Sequence, residues 1–381
     1  MHGHGVFLSK DGSRYEGTFA ADSRTGKGLL RLPNEDTYKG EFLINQFHGK
    51  GELKTIDLHY KGRFKNNKPD GRGVMKYGLG LKNIHEGAFK EGLKHGEGKM
   101  TNSEGKVYRT TWVNGKKHGV FFLISPDSLS EGIFENDQIV GDVTIHFKNG
   151  DTYSGGTQRG YREGKGRMVW GSHRVLKSYE GDFRGNLMHG KGKIEFRSGL
   201  VYKGPFVYNK MHGSGMIKTS FFKGKGKFEK GAPVGSFEII YKNGDIYRGG
   251  FAKFKPNGRG KLERKGKKVA YLGEFVNGIK HGEGTLKTER LKYKGEWVRG
   301  LKDGSFVVTD LKTRKQKNVV FSMGICQESS VFDMPMEVIE EDNRSVIDES
   351  FSTVVRWNRE NHQRSTLNFE ETLSKTFLKG L

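Results

Sequence analysis

Six histidines occupy equivalent places along the chain, and their type and regular spacing could support a row of metal sites. Imidazole is a common zinc ligand, and zinc holds its ligands about 2 Å from the ion. If each histidine belongs to a separate hairpin of a repeat, neighbours lie two strands, about 10 Å, apart and cannot share an ion. Asp70, Asn257 and Asp303 fill the same place, so we predict side chains that bond the turn backbone and no metal site. The six are His48, His95, His118, His189, His212 and His281.

The other motifs that could carry catalysis fail on spacing. Gly224-Lys225-Gly226-Lys227 lacks the spacing of a phosphate-binding loop and the Ser or Thr that follows it. No H-E-x-x-H, G-x-S-x-G or kinase H-R-D pattern occurs. The single Cys326 rules out an intramolecular disulfide, fits a reducing compartment and has no recognisable catalytic partner. We therefore predict no catalytic residue, no cofactor and no enzymatic activity.

A short repeat must position all of these residues. An aromatic residue or its replacement, a glycine and a second large ring recur two residues apart, as in Tyr38-x-Gly40-x-Phe42, thirteen times at intervals of 22 to 26 residues. A second signature follows each, as in His48-Gly49-x-Gly51-x-Leu53. A period this short indicates one supersecondary unit stacked many times. The central residues are Gly17, Gly40, Gly62, Gly87, Thr110, Gly132, Gly155, Gly181, Gly204, Gly226, Gly249, Gly273 and Gly295.

The two signatures predict the two strands of a β-hairpin, joined by five or six residues. Alternate residues share a face, so Tyr38, Gly40 and Phe42 line one side and Lys39 and Glu41 the other. Glycines on the ring side indicate that rings lie flat over them. An isolated hairpin is marginal in water, so we predict an all-β, elongated single-layer meander of about 13 stacked hairpins. Its grooved ring face is expected to hold Tyr15, Gly17, Phe19, Tyr38, Gly40, Phe42, Tyr60, Gly62, Phe64, Gly87, Phe89, Tyr179, Gly181, Phe183, Tyr202, Gly204, Phe206, Tyr271, Gly273, Phe275, Tyr293, Gly295 and Trp297.

Four positions depart from the repeat pattern. Thr110 replaces a central glycine, Thr157 a second ring, and Ser130 and Gly224 first rings. Three of them lie between residues 108 and 157, where we expect looser packing. Two intervals carry extra residues, and we expect turns near Gly78 and Gly171 to absorb them without a change of register.

The repeat closely resembles the MORN (membrane occupation and recognition nexus) family, whose motif is Y-x-G-x-[FW] followed by G-x-G-x-[LM]. The resemblance covers about residues 2 to 306, beginning with His2-Gly3-x-Gly5-x-Phe7, which is similar to a second strand without its first. Similar arrays precede a kinase domain in some phosphatidylinositol phosphate kinases and a methyltransferase domain in some lysine methyltransferases. The residues after the array are too few for the former and lack a signature of the latter. Arrays of this family that stand alone are typically scaffolds at membrane–cytoskeleton junctions, in ciliary structures or at organelle contacts.

Charge is concentrated in the array. Residues 1–308 hold 57 Lys/Arg against 32 Asp/Glu, and residues 309–381 hold 10 against 12. A cationic array would attract anionic lipid, acidic protein surfaces or nucleic acid, although the same charges also serve a solvated face that keeps the sheet soluble. Nucleic acid is disfavoured, since the rings are spaced to pack a sheet and lie opposite the basic side chains. The candidate contacts with an anionic surface are Lys116, Lys117, Arg264, Lys265, Lys267 and Lys268.

The chain divides into a predicted array at 1–308, a basic then acidic linker at 309–349, and an amphipathic helical segment at 350–381. Phe351, Val354, Val355 and Trp357 share one face at helical spacing, and an Asn368 to Glu371 capping box precedes a second stripe. This segment either caps the last strand or docks on a partner, and both interpretations stay open here.

These observations lead to a functional prediction. We expect a non-enzymatic scaffold or adaptor whose ring face takes a segment of a protein partner at cytoskeletal, ciliary or membrane-associated structures. The alternative is a peripheral tether that binds phosphoinositides or other anionic phospholipids. No run of 18 apolar residues and no signal peptide occurs, so we expect a cytoplasmic protein, at the cytoskeleton, a cilium or the cytoplasmic face of a membrane. The sequence leaves open whether the protein forms a homo-oligomer.

Overall fold

The computed structural model describes residues 1–327, and the chain divides into two compact units, Met1–Gly160 and a second that begins at Tyr161. In the first unit, each strand pairs antiparallel with its neighbours in sequence. A 3-10 turn at Leu79–Leu81 separates β7 from β8. The strands are β1 (Gly3–Leu8), β2 (Arg14–Ala20), β3 (Ser23–Arg31), β4 (Thr37–Leu43), β5 (Gln46–Lys54), β6 (Leu58–Lys65), β7 (Lys68–Tyr77), β8 (Asn83–Lys90), β9 (Leu93–Thr101), β10 (Val107–Val113), β11 (Lys116–Ile124), β12 (Ser128–Glu135), β13 (Gln138–Phe147) and β14 (Thr152–Gln158).

The second unit follows the same antiparallel pattern. All thirteen central residues of the repeat lie in strands of the two units, which confirms an all-β meander of hairpins. The strands are β15 (Tyr161–Val169), β16 (Leu176–Arg184), β17 (Leu187–Phe196), β18 (Val201–Val207), β19 (Lys210–Met211), β20 (Gly213–Lys218), β21 (Phe222–Glu229), β22 (Ala232–Tyr241), β23 (Ile246–Ala252), β24 (Lys255–Glu263), β25 (Ala270–Val276), β26 (Ile279–Lys287), β27 (Leu291–Val298), β28 (Leu301–Asp310), β29 (Gln316–Ser322) and β30 (Ile325–Cys326).

The turns within hairpins are shorter than the sequence suggested. β4 and β5 are joined by Ile44 and Asn45 alone, and both have positive φ, 49° and 65°. Two such residues form a type I′ turn, whose twist matches the right-handed twist of the strands. The expected connections of five or six residues were therefore wrong, because the strands run on almost to the turn.

Tyrosine rings cover pairs of glycines, as the repeat predicted. A Cβ placed on Gly40 would lie 2.6 Å from the Tyr38 hydroxyl oxygen, and one on Gly51, directly across on β5, would meet the same ring. The ring therefore lies flat over both glycines, and its hydroxyl donates a hydrogen bond of 2.9 Å to the Glu41 carbonyl. At the equivalent place in the next repeat, burial raises the pKa of Tyr60 to about 12, so that its hydroxyl stays protonated as a donor.

A β-bulge explains why that carbonyl needs a donor. After the Gly40 to Gly51 pair, the register shifts so that Glu41 lies opposite His48. Gly49 sits in this bulge with φ 57°, and a Cβ there would meet the Glu41 side chain. The first glycine of the H-G-x-G signature is thus needed for its backbone conformation, and only the second makes room for a ring.

The rings interlock between repeats. Tyr38 packs edge-on against Phe42 of its own repeat and against Phe64 of the next, with ring centroids 5.1 Å apart in both cases. Edge-to-face contacts of this kind stabilise beyond the area they bury. One buried cluster runs in this way from Tyr15 to Phe89.

Departures from the repeat are compensated by neighbours. The Thr110 hydroxyl donates to the carbonyls of His118 and Val120, at 3.2 and 3.0 Å. Where a first ring is missing, a phenylalanine from an adjacent strand fills the space, with Phe121 over Gly132 and Phe237 over Gly226. Between residues 108 and 157, Trp112, Phe121, Phe134 and Tyr153 are as buried as the rings elsewhere. Tyr108 is only partly buried, unlike the first tyrosines of other repeats, so the packing is looser at that position. The turns near Gly78 and Gly171 do absorb the extra residues.

The sheet runs beyond the predicted boundary at residue 308. β28 continues to Asp310, and β29 pairs with it antiparallel, burying Val319 and Phe321. The sequence places residues 309 to 322 in a linker because β29 lacks the glycine of the repeat, yet its apolar residues still pack. The acidic stretch and the amphipathic segment at 350–381 lie outside the described residues.

Candidate functional site

The rings predicted to line a groove are buried by one another. The fifteen that were named have between 0% and 5% of their surface exposed, and the glycines beneath them are covered. The buried rings leave a partner little to contact, and the pocket on the ring face of the second unit, lined by Tyr247, Phe251 and Phe275, has a volume of only about 140 Å³. A partner would instead meet the opposite face of the sheet, the outer face, which carries Lys39 and Glu41 in β4 and the equivalent residues of other strands.

A groove of about 980 Å³ crosses the outer face of the first unit. Its floor includes the glycines of successive strands, and charged residues form its walls. Because the residues on either side of each glycine point outward, the row of cross-strand glycine pairs forms a floor of backbone between two rows of side chains. The lining residues are His4, Glu16, Lys27, Gly28, Leu29, Lys39, Gly40, Glu41, Lys50, Gly51, Glu52, Lys61, Gly62, Arg63 and Arg72.

One wall of this groove brings like charges together. Lys50 on β5 lies directly opposite Arg63 on β6. The Arg63 side chain passes Gly71, the neighbour of Arg72 on β7, because a Cβ at Gly71 would lie 3.2 Å from the Arg63 Cδ. None of the three cations forms an ion pair within residues 1–327. Like charges directly opposite one another destabilise a sheet, so the Lys50–Arg63 pair costs stability in the absence of a bound anion.

The other wall balances its own charge. Lys39 and Lys61 lie across from Glu52 on either side. Glu52 also accepts from His59 at 2.7 Å and lies 3.3 Å from Lys54. The His59 hydrogen bond holds the pKa of Glu52 below its usual range, with the Lys54 contact adding to it. This carboxylate is therefore occupied and does not neutralise the opposite wall.

An apolar patch occupies the same outer face further along the first unit. Where β5 carries Lys50, Glu52 and Lys54, the equivalent positions of β11 hold aliphatic and aromatic residues, and β12 adds two more. Val120 pairs across the strands with Ile133, which is 49% exposed. This apolar patch consists of Val120, Phe122, Ile124, Leu129 and Ile133, each 41% to 59% exposed.

The predicted anionic-surface contacts do not form one cluster. Lys117 lies 3.6 Å from Asp137 and over the Phe134 ring, and its neighbour Lys116 is exposed at the start of β11. The other four belong to the second unit, where Arg264 pairs with the buried Asp245 at 3.1 Å.

The remaining three lie in the turn after β24. Lys265 and Lys267 line a pocket of about 250 Å³ beside that pair, and Lys268 lies 3.1 Å from Glu289. The groove cations were missed because their strands look like every other repeat.

The histidine row does not make all of the turn hydrogen bonds that the sequence predicted. Among the described residues, the Nδ1 atoms of His48, His95 and His189 are buried without a hydrogen-bond partner, so the predicted bonds to the turn are absent for these three. Asp70 and Asp303 do bond a turn, accepting from the backbone of Glu91 and Met323 in the following hairpin. Within residues 1–327, no group of three or more candidate ligands could hold a metal ion.

His85 is the one strongly perturbed histidine in the described part of the chain. It replaces the first tyrosine of its repeat, is fully buried, and packs edge-on against Phe89 and Trp112. Burial, reinforced by the Lys94 charge, lowers the pKa of His85 to about 4. A neutral imidazole here fills a ring position, and it has no neighbouring group with which to do chemistry.

The described residues also contain no helix long and apolar enough to cross a membrane. Fold and surface together define a β-hairpin repeat protein. The chain belongs to the MORN repeat family, whose model matches eleven segments that together cover more than half of it: residues 1–14, 15–37, 38–57, 60–78, 85–107, 111–120, 153–173, 179–201, 202–218, 271–288 and 293–305. Residues 121–152 and 219–270 lie outside these segments, although they form the same hairpins.

Individual relatives share only part of this array. Alsin from Rattus norvegicus and from Homo sapiens are each 30% identical over 161 residues, which is 40% of this chain. The chain matches 9% of the length of these relatives. A solved structure, the SAS-4 (dCPAP) TCP domain in complex with a proline-rich motif of Ana2 (dSTIL) of Drosophila melanogaster, covers 52% of this chain and 82% of its own at 13% identity. Its TM-score of 0.18 is too low to carry an argument.

Proposed function

We propose that this protein is a non-enzymatic scaffold that binds protein partners through the outer face of its first unit. The apolar patch on β11 and β12 carries the proposal. Contiguous exposed apolar residues are costly in water, and on a soluble protein they mark interaction sites. The repeat does not require them, because β5 carries charged residues at the same positions.

The nature of the two faces supports a partner on this side. The ring face of the first unit is filled by its own side chains, whereas its outer face offers an apolar patch and a cationic groove. MORN repeat arrays are generally non-catalytic and occur in scaffolds that bind proteins or membranes. The location proposed with this function, in the cytoplasm at the cytoskeleton, a cilium or a membrane face, rests on the sequence and on the family resemblance.

The test replaces the patch with the charges that β5 tolerates. We would introduce Val120→Lys with Phe122→Glu and place a photo-crosslinking amino acid at Leu129 in the native cell. The control, Val307→Lys with Val320→Glu, changes two exposed aliphatic residues on β28 and β29. We expect the patch variant to lose a defined protein adduct that the control retains.

Three other results would change the conclusion. An adduct that survives the patch variant would show that the partner binds elsewhere. Sedimentation of the parent with anionic vesicles, abolished by the patch variant in the absence of any protein adduct, would favour the peripheral phospholipid tether instead. A parent that forms dimers which the patch variant dissociates would identify a second copy as the occupant.

A further inference from the structure

We propose that the groove on the outer face of β1 to β7 binds an extended acidic peptide segment, with Lys50, Arg63 and Arg72 as its anion contacts. This inference deepens the proposed scaffold function and rests on it. It concerns a different surface from the apolar patch, so the two can fail separately.

The first step is the unpaired charge. Lys50 and Arg63 face each other across strands at a separation of about 5 Å between Cβ atoms. Arg72 extends the same wall on β7, and none of the three has a carboxylate partner in the described part of the chain. By contrast, Arg259 in the second unit, at the position equivalent to Lys50, lies directly opposite Glu274. The uncompensated cations of the groove therefore suit an anion from outside the chain.

The second step is the shape of the floor. The glycine pairs Gly40 with Gly51 and Gly51 with Gly62 leave the backbone uncovered over adjacent strands. Strands are about 4.8 Å apart, so the three cations span about 10 Å, the length of three extended residues. Acidic side chains two residues apart on an extended chain point the same way about 7 Å apart and can reach these cations.

The third step separates a peptide from a membrane. Glu16, Glu41 and Glu52 lie in the same lining, so a uniformly negative surface would meet repulsion as well as attraction. Spaced acidic side chains can contact the cationic wall and leave these carboxylates free. A flat bilayer also cannot reach a concave floor, whereas an extended peptide can. Both features favour the peptide.

The experiment uses a fluorescent ten-residue peptide of alternating glutamate and serine, with anisotropy measured against the full chain. Lys50→Glu with Arg63→Glu is compared with Lys65→Glu with Lys68→Glu. The control pair also lies directly opposite on β6 and β7, is exposed, and is outside the groove. Each variant replaces a pair of facing positive charges with a pair of facing negative charges, so the two variants should have similar melting temperatures. We expect the groove variant to weaken binding about tenfold or more and the control less than about twofold.

Three results would overturn the proposal. Equal losses of peptide affinity in the two variants would mean that the peptide responds only to the general positive charge of the protein. If the parent bound no peptide, an acidic peptide would not be the ligand of the groove. Tighter binding of phosphatidylserine vesicles than of peptide, lost in the groove variant, would assign the groove to lipid. If peptide binding fails while the adduct at Leu129 persists, the scaffold function stands and the groove assignment falls.

Discussion

At the scale of single residues, a repeat that has the full motif depends on three interactions that act together. A tyrosine ring covers two glycines, its hydroxyl bonds the carbonyl freed by a bulge, and a glycine with positive φ forms that bulge. Tyr179 shows all three, with its hydroxyl 2.8 Å from the Asp182 carbonyl and Gly190 at φ 58°. Removing any one of them leaves either a clash or an unsatisfied buried group.

Gly192 and Lys191 test the assignment of faces. A Cβ on Gly192 would lie 2.5 Å from the Tyr179 ring, whereas Lys191 is exposed on the outer face. We expect Gly192→Val to destabilise by about 1 to 3 kcal/mol through displacement of that ring, and Lys191→Val to change stability little. Chemical denaturation of the two variants measures the difference. Equal losses would mean that the faces are assigned wrongly.

His85 predicts a pH dependence. The pKa of His85 in the folded protein, about 4, lies below the ordinary value of 6.5. Above pH 6.5 the imidazole is therefore neutral in both the folded and the unfolded chain, and its titration costs the folded state no stability. As the pH falls from 6.5 towards 4, the unfolded chain binds a proton that the folded chain resists, and roughly 2 kcal/mol is lost after allowance for solvent screening.

Urea denaturation at both pH values tests this with His85→Tyr, which restores the ring and a hydroxyl aimed at the Ala88 carbonyl. We expect the variant to lose less stability on acidification than the parent. The exposed His146→Tyr serves as the control and should behave as the parent does. An unchanged acid response in His85→Tyr would contradict the assignment.

At the scale of elements, hairpins are joined through their turns as well as their strands. Asn209 accepts from the Met188 backbone N–H at 2.7 Å, and its own N–H donates to the Met188 carbonyl at 2.9 Å. Asn45, Asn67 and Asn186 bond the preceding hairpin in the same way. The asparagine thus has two roles. It adopts the positive φ that the turn requires, and its side-chain oxygen accepts a hydrogen bond from a backbone N–H in the preceding hairpin.

Substitutions at Asn209 should separate those two roles. Asn209→Gly keeps the backbone conformation and loses the acceptor, which should cost about 1 kcal/mol. Asn209→Ala also strains a residue at φ 64° and should cost more, while Asn209→Asp should stay close to the parent. Thermal melts that rank alanine equal to glycine would show that the backbone conformation contributes nothing.

At the scale of the whole molecule, the two units use one repeat for different surfaces. The outer face of the first unit has an unpaired cationic wall and an apolar patch. In the second unit, Arg259 at the position equivalent to Lys50 lies directly opposite Glu274, an opposite charge. Binding is therefore expected to depend mainly on the first unit, and the second contributes the final strands of the sheet.

Truncation tests where the sheet ends. Phe321 on β29 is 2% exposed and packs against Phe306. Ending the chain after Val308 should therefore remove β29 and expose the ring of Phe306. Ending it after Gln327 retains β29 and should give a higher melting temperature than ending it after Val308. Equal melting of the two truncated chains would show that β29 adds no stability. Whether residues 350–381 cap the array stays a prediction, which hydrogen exchange of the full chain can test.

The repeat, the strand pairs and the ring over glycine could be predicted from the sequence, because these follow from local alternation and a fixed period. Alternation alone assigns Tyr38, Gly40 and Phe42 to one face. The repeat pattern also indicated Thr110 and Ser130 as exceptions. Which side chains fill the space at these positions could not be predicted, because Phe121, for example, reaches Gly132 from another hairpin.

Only the tertiary structure decided which face is open. Alternation separates two faces without showing that rings of successive repeats interlock and bury one of them. It also cannot give cross-strand register after a bulge, and that register places Lys50 opposite Arg63. Burial and register arise from neighbours in adjacent hairpins, far along the chain, so the groove emerges only when the hairpins are stacked.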